Sequence, residues 1–149
     1  MGKKLLNDQV VRQVKDVFDS QLKQPVEILF FGQRQDCDYC SDTLALVEEL
    51  TVISEKLSLS TYDLEQDREV AGKYNVDKAP SLVLAAKNSN DLVDYGVRFA
   101  GIPSGHEFSS LIQSLILVSG RDSSLNEKTR QALKKLTKPV TLQVYVTPT

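Results

Sequence analysis

The chain has 149 residues, of which 41% are hydrophobic and 26% are charged, values close to the averages for soluble proteins. This composition argues against a disordered or fibrous protein, and the net charge of −2 gives no overall attraction for nucleic acid or for an anionic membrane surface. No stretch approaches the roughly 20 apolar residues that a transmembrane helix needs. We therefore expect a cytoplasmic globular protein whose partners include no nucleic acid and no membrane.

The first half of the chain predicts a helix, a strand, a second helix and a second strand. Apolar residues recur every three or four positions over 6–22, which indicates a helix that packs on a sheet. The short apolar run at 26–31 is typical of a buried central strand. A second helical pattern covers 38–57, with Cys37 at or just before its N-terminus, and residues 59–64 predict the next strand.

The second half predicts further elements of the same unit. Residues 66–74 indicate a short helix, and residues 81–86 and 92–100 indicate two antiparallel strands joined by a polar turn. Residues 107–118 have helical apolar spacing. The order helix, β, α, β, α, β, β, α predicts an α/β fold, a sandwich with a central mixed sheet and helices on both faces.

The C-terminal residues look like the beginning of a second unit. Residues 127–136 predict a helix and residues 140–146 a strand. The stretch Leu22-Lys23-Gln24-Pro25-Val26 reappears as Leu136-Thr137-Lys138-Pro139-Val140, an offset of 114 residues. We therefore divide the chain into a unit at 1–120 and a truncated second unit at 121–149, a chance match being the alternative. A strand with open edges could pair between molecules and form a homo-oligomer.

The motif Cys37-Asp38-Tyr39-Cys40 contains both cysteines of the chain. A secreted, disulfide-framed domain would scatter four or more cysteines along its sequence. Two thiols at this spacing can close a small disulfide at the start of a helix. The helix dipole and the unpaired amides favour a thiolate there, so we predict Cys37 as the nucleophile and Cys40 as the resolving thiol. Exchange between thiols and disulfides through this pair needs no cofactor.

Half of a zinc or iron–sulfur site is the other interpretation of a single Cys-x-x-Cys motif. Such a site needs two more ligands, and the chain offers no further cysteine and one histidine, His106, far along the sequence. We therefore expect no metal. His106 is predicted to cap or pack near the start of the last helix of the first unit.

Four segments together resemble one known family. They are the Cys-Asp-Tyr-Cys motif, Tyr-Asn-Val-Asp-Lys-Ala-Pro-Ser at 74–81 before a strand, Gly-Val-Arg-Phe-Ala-Gly-Ile-Pro-Ser-Gly-His-Glu-Phe at 96–108, and Val-Tyr-Val-Thr-Pro-Thr at 144–149. The chain resembles the glutaredoxin-like protein disulfide oxidoreductases of the thioredoxin superfamily, which carry two thioredoxin-fold units in tandem. The resemblance implies a thioredoxin fold, a three-layer α/β/α sandwich. This chain departs from the family because it lacks the Cys-x-x-Cys motif of the second unit.

The resemblance also implies roles for single residues. Pro80 would be a cis-proline that faces the motif, with the backbone at Ala79 pairing with an extended substrate; an ordinary trans strand entry is the alternative. Glu49 would be a buried acid that accepts a proton from Cys40, or else a solvated helix residue. Tyr39 is a glutaredoxin-like residue.

We therefore predict a thiol-disulfide oxidoreductase that acts on protein disulfides and receives electrons from a thiol-disulfide reductase. One alternative is a thioredoxin-fold binding module without redox turnover. The other is a glutathione-dependent, glutaredoxin-type reductase, although the threonine-valine-proline and paired-glycine features of that group are not found in the sequence.

Overall fold

The computed structural model describes residues 4–147, and their helices and strands follow the predicted order. The elements are α1 (Asp8–Gln21), β1 (Val26–Gly32), α2 (Cys40–Ile53), β2 (Leu57–Asp63), α3 (Arg68–Lys73), β3 (Ser81–Lys87), β4 (Leu92–Ala100), α4 (His106–Gly120) and α5 (Glu127–Leu133). Across this described range, none of the helices has the length and hydropathy to cross a bilayer.

The four strands form one mixed sheet in the order β2-β1-β3-β4, which confirms the predicted α/β fold. Strand β1 is parallel to β2 and antiparallel to β3, and β4 is antiparallel to β3. The two central strands are buried along almost their whole length. Their burial on both faces explains why the sequence shows them as apolar runs rather than as alternating patterns.

Helices cover both faces of the sheet because successive side chains of a strand point to opposite sides. On one face, alternate residues of β1 pack with α1, α2 and α4; this core includes Val26, Ile28, Phe30, Phe18, Leu50 and Leu115. On the other face, Leu29 and Phe31 pack with Ala71 and Tyr74 at α3. The fold is therefore a three-layer α/β/α sandwich, as the family resemblance implied.

Two loops that are distant in sequence lie at the same end of the sheet. Strand β1 ends at Gly32, and the cysteine motif lies between it and the start of α2. Strand β3 begins at the end of the sheet where β1 finishes, because it runs antiparallel to β1 with Ser81 opposite Phe31. Pro80 immediately precedes Ser81, so the proline loop and the cysteine motif lie at the same end of the sheet.

The strand predicted at 140–146 is not formed. Residues 131–147 are exposed, and within the described range the sheet contains β1 to β4 and no further strand. An extended segment becomes a strand only when its backbone groups pair in a ladder. The alternating sequence of this segment is compatible with a strand, but neither edge of the sheet pairs with it.

Candidate active site

Cys37 and Cys40 form a disulfide, with their Cα atoms 5.5 Å apart. Cys37 lies in the turn before α2, Cys40 is the first residue of the helix, and both are half-buried. The Cys40 amide donates a 3.4 Å hydrogen bond to the Cys37 carbonyl, and the Cys40 side chain packs against the hydrophobic core. The predicted pair is therefore bonded, with Cys40 the residue that joins the core.

The amino end of α2 is placed to stabilise negative charge on sulfur. Tyr39 is the N-cap residue; its side chain is 55% exposed and makes no capping hydrogen bond. The helix begins two residues later than the sequence predicts, since Asp36 has a left-handed backbone conformation and the motif forms a separate turn. Cys37 stands just before the positive end of the helix dipole, as predicted.

Pro80 lies at the same end of the sheet as the cysteine motif, and the Ala79–Pro80 peptide bond is cis, as predicted. The Pro80 side chain is buried, whereas Ala79 is half-buried. The Pro80 carbonyl accepts a 2.8 Å hydrogen bond from the Gly101 amide, and the Ser81 hydroxyl donates to the Lys78 carbonyl at 2.7 Å. The first bond ties the proline to the residue that follows β4, and the second closes the turn that contains the proline.

Arg98 supports the proline loop, and the sequence analysis missed it. Its guanidinium donates to the Tyr74 carbonyl at 3.2 Å and 2.9 Å, and it pairs with Asp94 at 2.6 Å. The hydrogen bond from Arg98 holds the pKa of Asp94 below its usual value. In a regular strand, residues four apart are about 13 Å from each other. An irregularity between Leu84 and Ala85 in the pairing of β3 with β4 accompanies the close approach, and no sequence signal announces it.

Two predicted residues lie elsewhere. The Glu49 carboxylate accepts hydrogen bonds from the amides of Leu5 (2.5 Å) and Leu6 (3.0 Å). Glu49 lies nine positions after Cys40 in α2, a rise of about 13 Å along the axis, so the structure does not bring it within reach of Cys40 for the predicted proton transfer. The interpretation as a solvated residue is also wrong, because Glu49 binds the segment before α1. His106 is the first residue of α4, as its predicted position requires, but Gly105 is the N-cap residue and the His106 side chain is exposed, so the predicted capping or packing role is wrong.

A groove of about 370 Å³ adjoins the disulfide on the side of strand β2. Its lining includes Cys40 and Leu44 from α2, Gly32, and Asp63 at the end of β2. Arg34, in the loop before the motif, also faces the groove; it donates to Gln66 at 3.2 Å and lies 3.9 Å from the Asp63 carboxylate. These contacts tie the loop of the cysteine motif to the loop after β2.

The sequence was compared with protein-family models and with known proteins. No protein-family model matches the sequence. The chain is 34% identical over 112 residues to a protein named NADH dehydrogenase from Bacillus subtilis, a match that covers 75% of this chain and 19% of that one. The chain thus spans about a fifth of the length of this curated relative.

Two solved structures share the fold. A protein disulfide oxidoreductase from Aeropyrum pernix K1 superposes with a TM-score of 0.77 and 26% identity, covering 91% of this chain and 57% of that one. The NTD_N/C domain of alkyl hydroperoxide reductase AhpF from Enterococcus faecalis superposes with a TM-score of 0.77 and 25% identity, covering 90% and 62%. With its mixed sheet, its Cys-x-x-Cys disulfide at the start of α2 and these structural neighbours, the chain belongs to the thioredoxin-fold superfamily.

Proposed function

We propose that this protein exchanges disulfides with protein substrates through Cys37 and Cys40. The proposal is supported by one observation: the Cys37–Cys40 disulfide lies at the amino end of α2, at the same end of the sheet as the cis Ala79–Pro80 bond. The Cys37 thiolate attacks a substrate disulfide and forms a mixed disulfide with one of its sulfurs. The Cys40 thiolate then attacks Cys37 and releases the substrate as a dithiol.

The residues around the disulfide bind the substrate. Ala79 offers its backbone groups to an extended segment, next to the buried Pro80 ring. Tyr39, with its exposed ring, contacts the substrate from the side of the motif. Glu49 has no part in this reaction.

The test is the reduction of insulin disulfides by dithiothreitol, followed by turbidity. The protein accelerates this reduction, and Cys37→Ser abolishes the acceleration. Cys40→Ser accumulates a mixed disulfide with insulin, visible on a non-reducing gel. Undiminished activity of Cys37→Ser would overturn the proposal. Partner binding that survives Cys37→Ser with Cys40→Ser, in a protein without turnover, would instead favour the binding module.

We propose another redox domain as the electron donor. One relative is named NADH dehydrogenase and a structural neighbour belongs to an alkyl hydroperoxide reductase, so electrons pass from a reductase to this dithiol. A cytoplasmic location fits a chain whose two cysteines form one redox pair. A direct assay distinguishes the proposed function from the glutathione-dependent, glutaredoxin-type alternative. Reduction of a glutathionylated peptide with consumption of glutathione would favour that alternative.

We further propose that residues 121–149 begin a second thioredoxin-like unit. The sequence repeat supports this, and the two helices that open the two units begin alike. Asn7 caps α1 by accepting a 2.9 Å bond from the Val10 amide, and Asn126 caps α5 by accepting a 2.9 Å bond from the Thr129 amide. The solved protein disulfide oxidoreductase extends well beyond the matched part.

A further inference from the structure

We propose that Thr43 takes part in the exchange reaction: its hydroxyl donates a hydrogen bond to the Cys40 sulfur once the disulfide is reduced, and so stabilises the Cys40 thiolate. This inference rests on the proposed function, because it concerns the second step of the same reaction. In that step the Cys40 thiolate attacks Cys37 and releases the substrate. A residue that stabilises this thiolate therefore governs the release of the substrate.

The Thr43 side chain is a buried polar group without a partner. Thr43 is 0% exposed, and within residues 4–147 its Oγ1 atom meets no hydrogen-bond partner. An unpaired buried hydroxyl is costly and rare in folded proteins, and a redox or catalytic role is one reason for keeping it. The structure shows the oxidised state, so a partner that forms on reduction would satisfy this hydroxyl.

A second threonine of the same helix shows the usual alternative. The Thr51 hydroxyl donates to the Glu48 carbonyl at 2.8 Å, a bond that threonine can make to the backbone of its own helix. Thr43 lacks such a bond in the part of the chain that the structure describes, although its amide donates to the Tyr39 carbonyl at 2.9 Å. The backbone of α2 therefore leaves the Thr43 hydroxyl available.

Thr43 and Cys40 lie one turn apart on the same face of α2. Thr43, Val47 and Leu50 are buried residues that share this face, and the Cys40 side chain packs against the same core. Residues three apart on a helix have their Cβ atoms about 5–6 Å from each other, and helical side chains lean toward the amino end. The Thr43 side chain therefore leans toward Cys40.

The Cys40 sulfur has an apolar neighbour that offers it no hydrogen bond. A Cβ atom placed on Gly32 would lie 3.8 Å from Cys40 Sγ and 2.8 Å from Cε1 of the buried Phe30, so the ring and the sulfur flank the same space. A thiolate beside an aromatic ring has lost part of its hydration, which makes a nearby donor more valuable. Thr43 can supply that donor.

Reduction supplies the partner that the hydroxyl lacks. In the disulfide the Cys40 sulfur is uncharged, and its bond to Cys37 fixes its direction. Reduction breaks this bond, so the Cys40 side chain can rotate, and the thiol then loses its proton to solvent. A hydroxyl donates more strongly to a charged acceptor than to a neutral one. Thr43 keeps its own proton throughout, and the two electrons pass to the substrate as in the proposed reaction.

The first test titrates Cys40 alone, in the Cys37→Ser variant, through the ultraviolet absorbance of its thiolate. Thr43→Val keeps the shape of the side chain without the hydroxyl, and the midpoint rises by about one pH unit, as loss of a hydrogen bond to a charged group implies. Thr43→Ser keeps the hydroxyl and leaves the midpoint in place. Thr43→Ala is the second variant without a hydroxyl should Thr43→Val not fold.

The matched control for this titration is Thr51→Val, which removes a threonine hydroxyl from the same helix far from the sulfur. It leaves the midpoint unchanged. An unchanged midpoint in the variants without the Thr43 hydroxyl overturns the inference. A rise of the same size in Thr51→Val or in Thr43→Ser overturns it as well.

The second test separates the two steps by stopped-flow absorbance, with the reduced protein and the chromogenic disulfide dithiobis(nitrobenzoate). Attack by Cys37 releases one coloured thiolate, and attack by Cys40 on Cys37 releases another. Thr43→Val leaves the first release unchanged. It slows the second release by roughly threefold below the titration midpoints, where fewer thiolates are present, and accelerates it by roughly threefold above them, where the more basic thiolate is the better nucleophile.

The inference and the proposed function fail separately. A second release that Thr43→Val does not alter, or alters by the same factor at every pH, overturns the role of Thr43 and leaves the proposed function intact. If Cys40→Ser releases no coloured thiolate, or the unsubstituted protein does not accelerate insulin reduction, the proposed function itself is overturned.

Discussion

Glu27 is a charged residue on the central strand β1, and its side chain is only 7% exposed. Lys87 donates to its carboxylate at 2.7 Å, Ser60 donates at 2.6 Å, and Ser58 donates as well. Burial alone would raise the pKa of Glu27, but the hydrogen bonds from Lys87, Ser58 and Ser60 outweigh it and hold the pKa below its usual value. The carboxylate therefore joins β1, β2 and β3 on the same face of the sheet as Leu29 and Phe31.

Glu27→Gln tests this cluster through the pH dependence of stability. Because the folded-state pKa is lowered, the contribution of Glu27 is present above the unfolded-state pKa of about 4.3 and is lost as the pH falls through the folded-state pKa. We expect the substitution to lower the free energy of unfolding at pH 7 by about 1–3 kcal/mol, with a smaller loss at pH 3. Urea unfolding at the two pH values measures both, with Glu48→Gln as the exposed control. An equal loss at both pH values would contradict the assignment.

Gly32 is required by close packing at the end of β1. A Cβ atom there would lie 2.8 Å from Cε1 of Phe30, whose side chain is buried and has little room to move. Gly32→Ala is therefore expected to lower the free energy of unfolding by about 1–3 kcal/mol, as overpacked substitutions do. Thermal unfolding by circular dichroism measures the change. Gly72→Ala is the matched control, since a Cβ at Gly72 meets no atom within 4 Å.

At the scale of elements, α2 has two functions at its two ends. Its first residue carries the disulfide, while Glu49, two turns and more further on, holds the segment that precedes α1. That segment contributes Leu6 to the core. The acid that the family resemblance placed in proton transfer thus serves a packing role.

Glu49→Ala separates the two roles. Two backbone amides lose their acceptor, so we expect the free energy of unfolding to fall by about 1–3 kcal/mol. The single-turnover rate of transfer to insulin, and its pH profile, should stay unchanged. A rate that falls while the pH profile shifts would restore Glu49 to the reaction. Glu48→Ala, at the exposed neighbouring position, should change neither quantity.

At the scale of the whole molecule, residues 122–147 contribute no buried residue to the sandwich. Helix α5 has no buried residue, and the exposed apolar side chains of the chain are concentrated beyond it, at Leu136, Val140, Leu142, Val144, Tyr145 and Val146. Their alternation suits a strand whose partner strands belong to a second unit or to another molecule.

Limited proteolysis with trypsin tests this division. Exposed segments without a packed partner are cleaved first. We expect the earliest cuts after Lys134 and Lys135, followed by a persistent fragment that contains the sheet and the disulfide. Mass spectrometry of the early fragments identifies the sites. Early cleavage after Lys87, at the end of β3, would show that the sandwich itself opens as easily.

Patterns that are local in sequence predicted most of the fold. The apolar spacing of α1 and α4 and the apolar runs of β1 and β3 depend on burial of a single element, so each could be recognised alone. The strand predicted at 140–146 did not form for a related reason. The alternating pattern of this segment suits a strand, but the pattern cannot supply the neighbouring strand with which its backbone would have to pair.

The sequence by itself determined the order of the elements, the mixed α/β class and the paired cysteines, because periodicity and a three-residue spacing are properties of neighbouring positions. Only the tertiary structure decided which residues support the site. Glu49 meets Leu5 and Leu6, and Arg98 meets Tyr74. Each of these contacts joins segments that are distant in sequence, and the path of the folded chain alone brings them together.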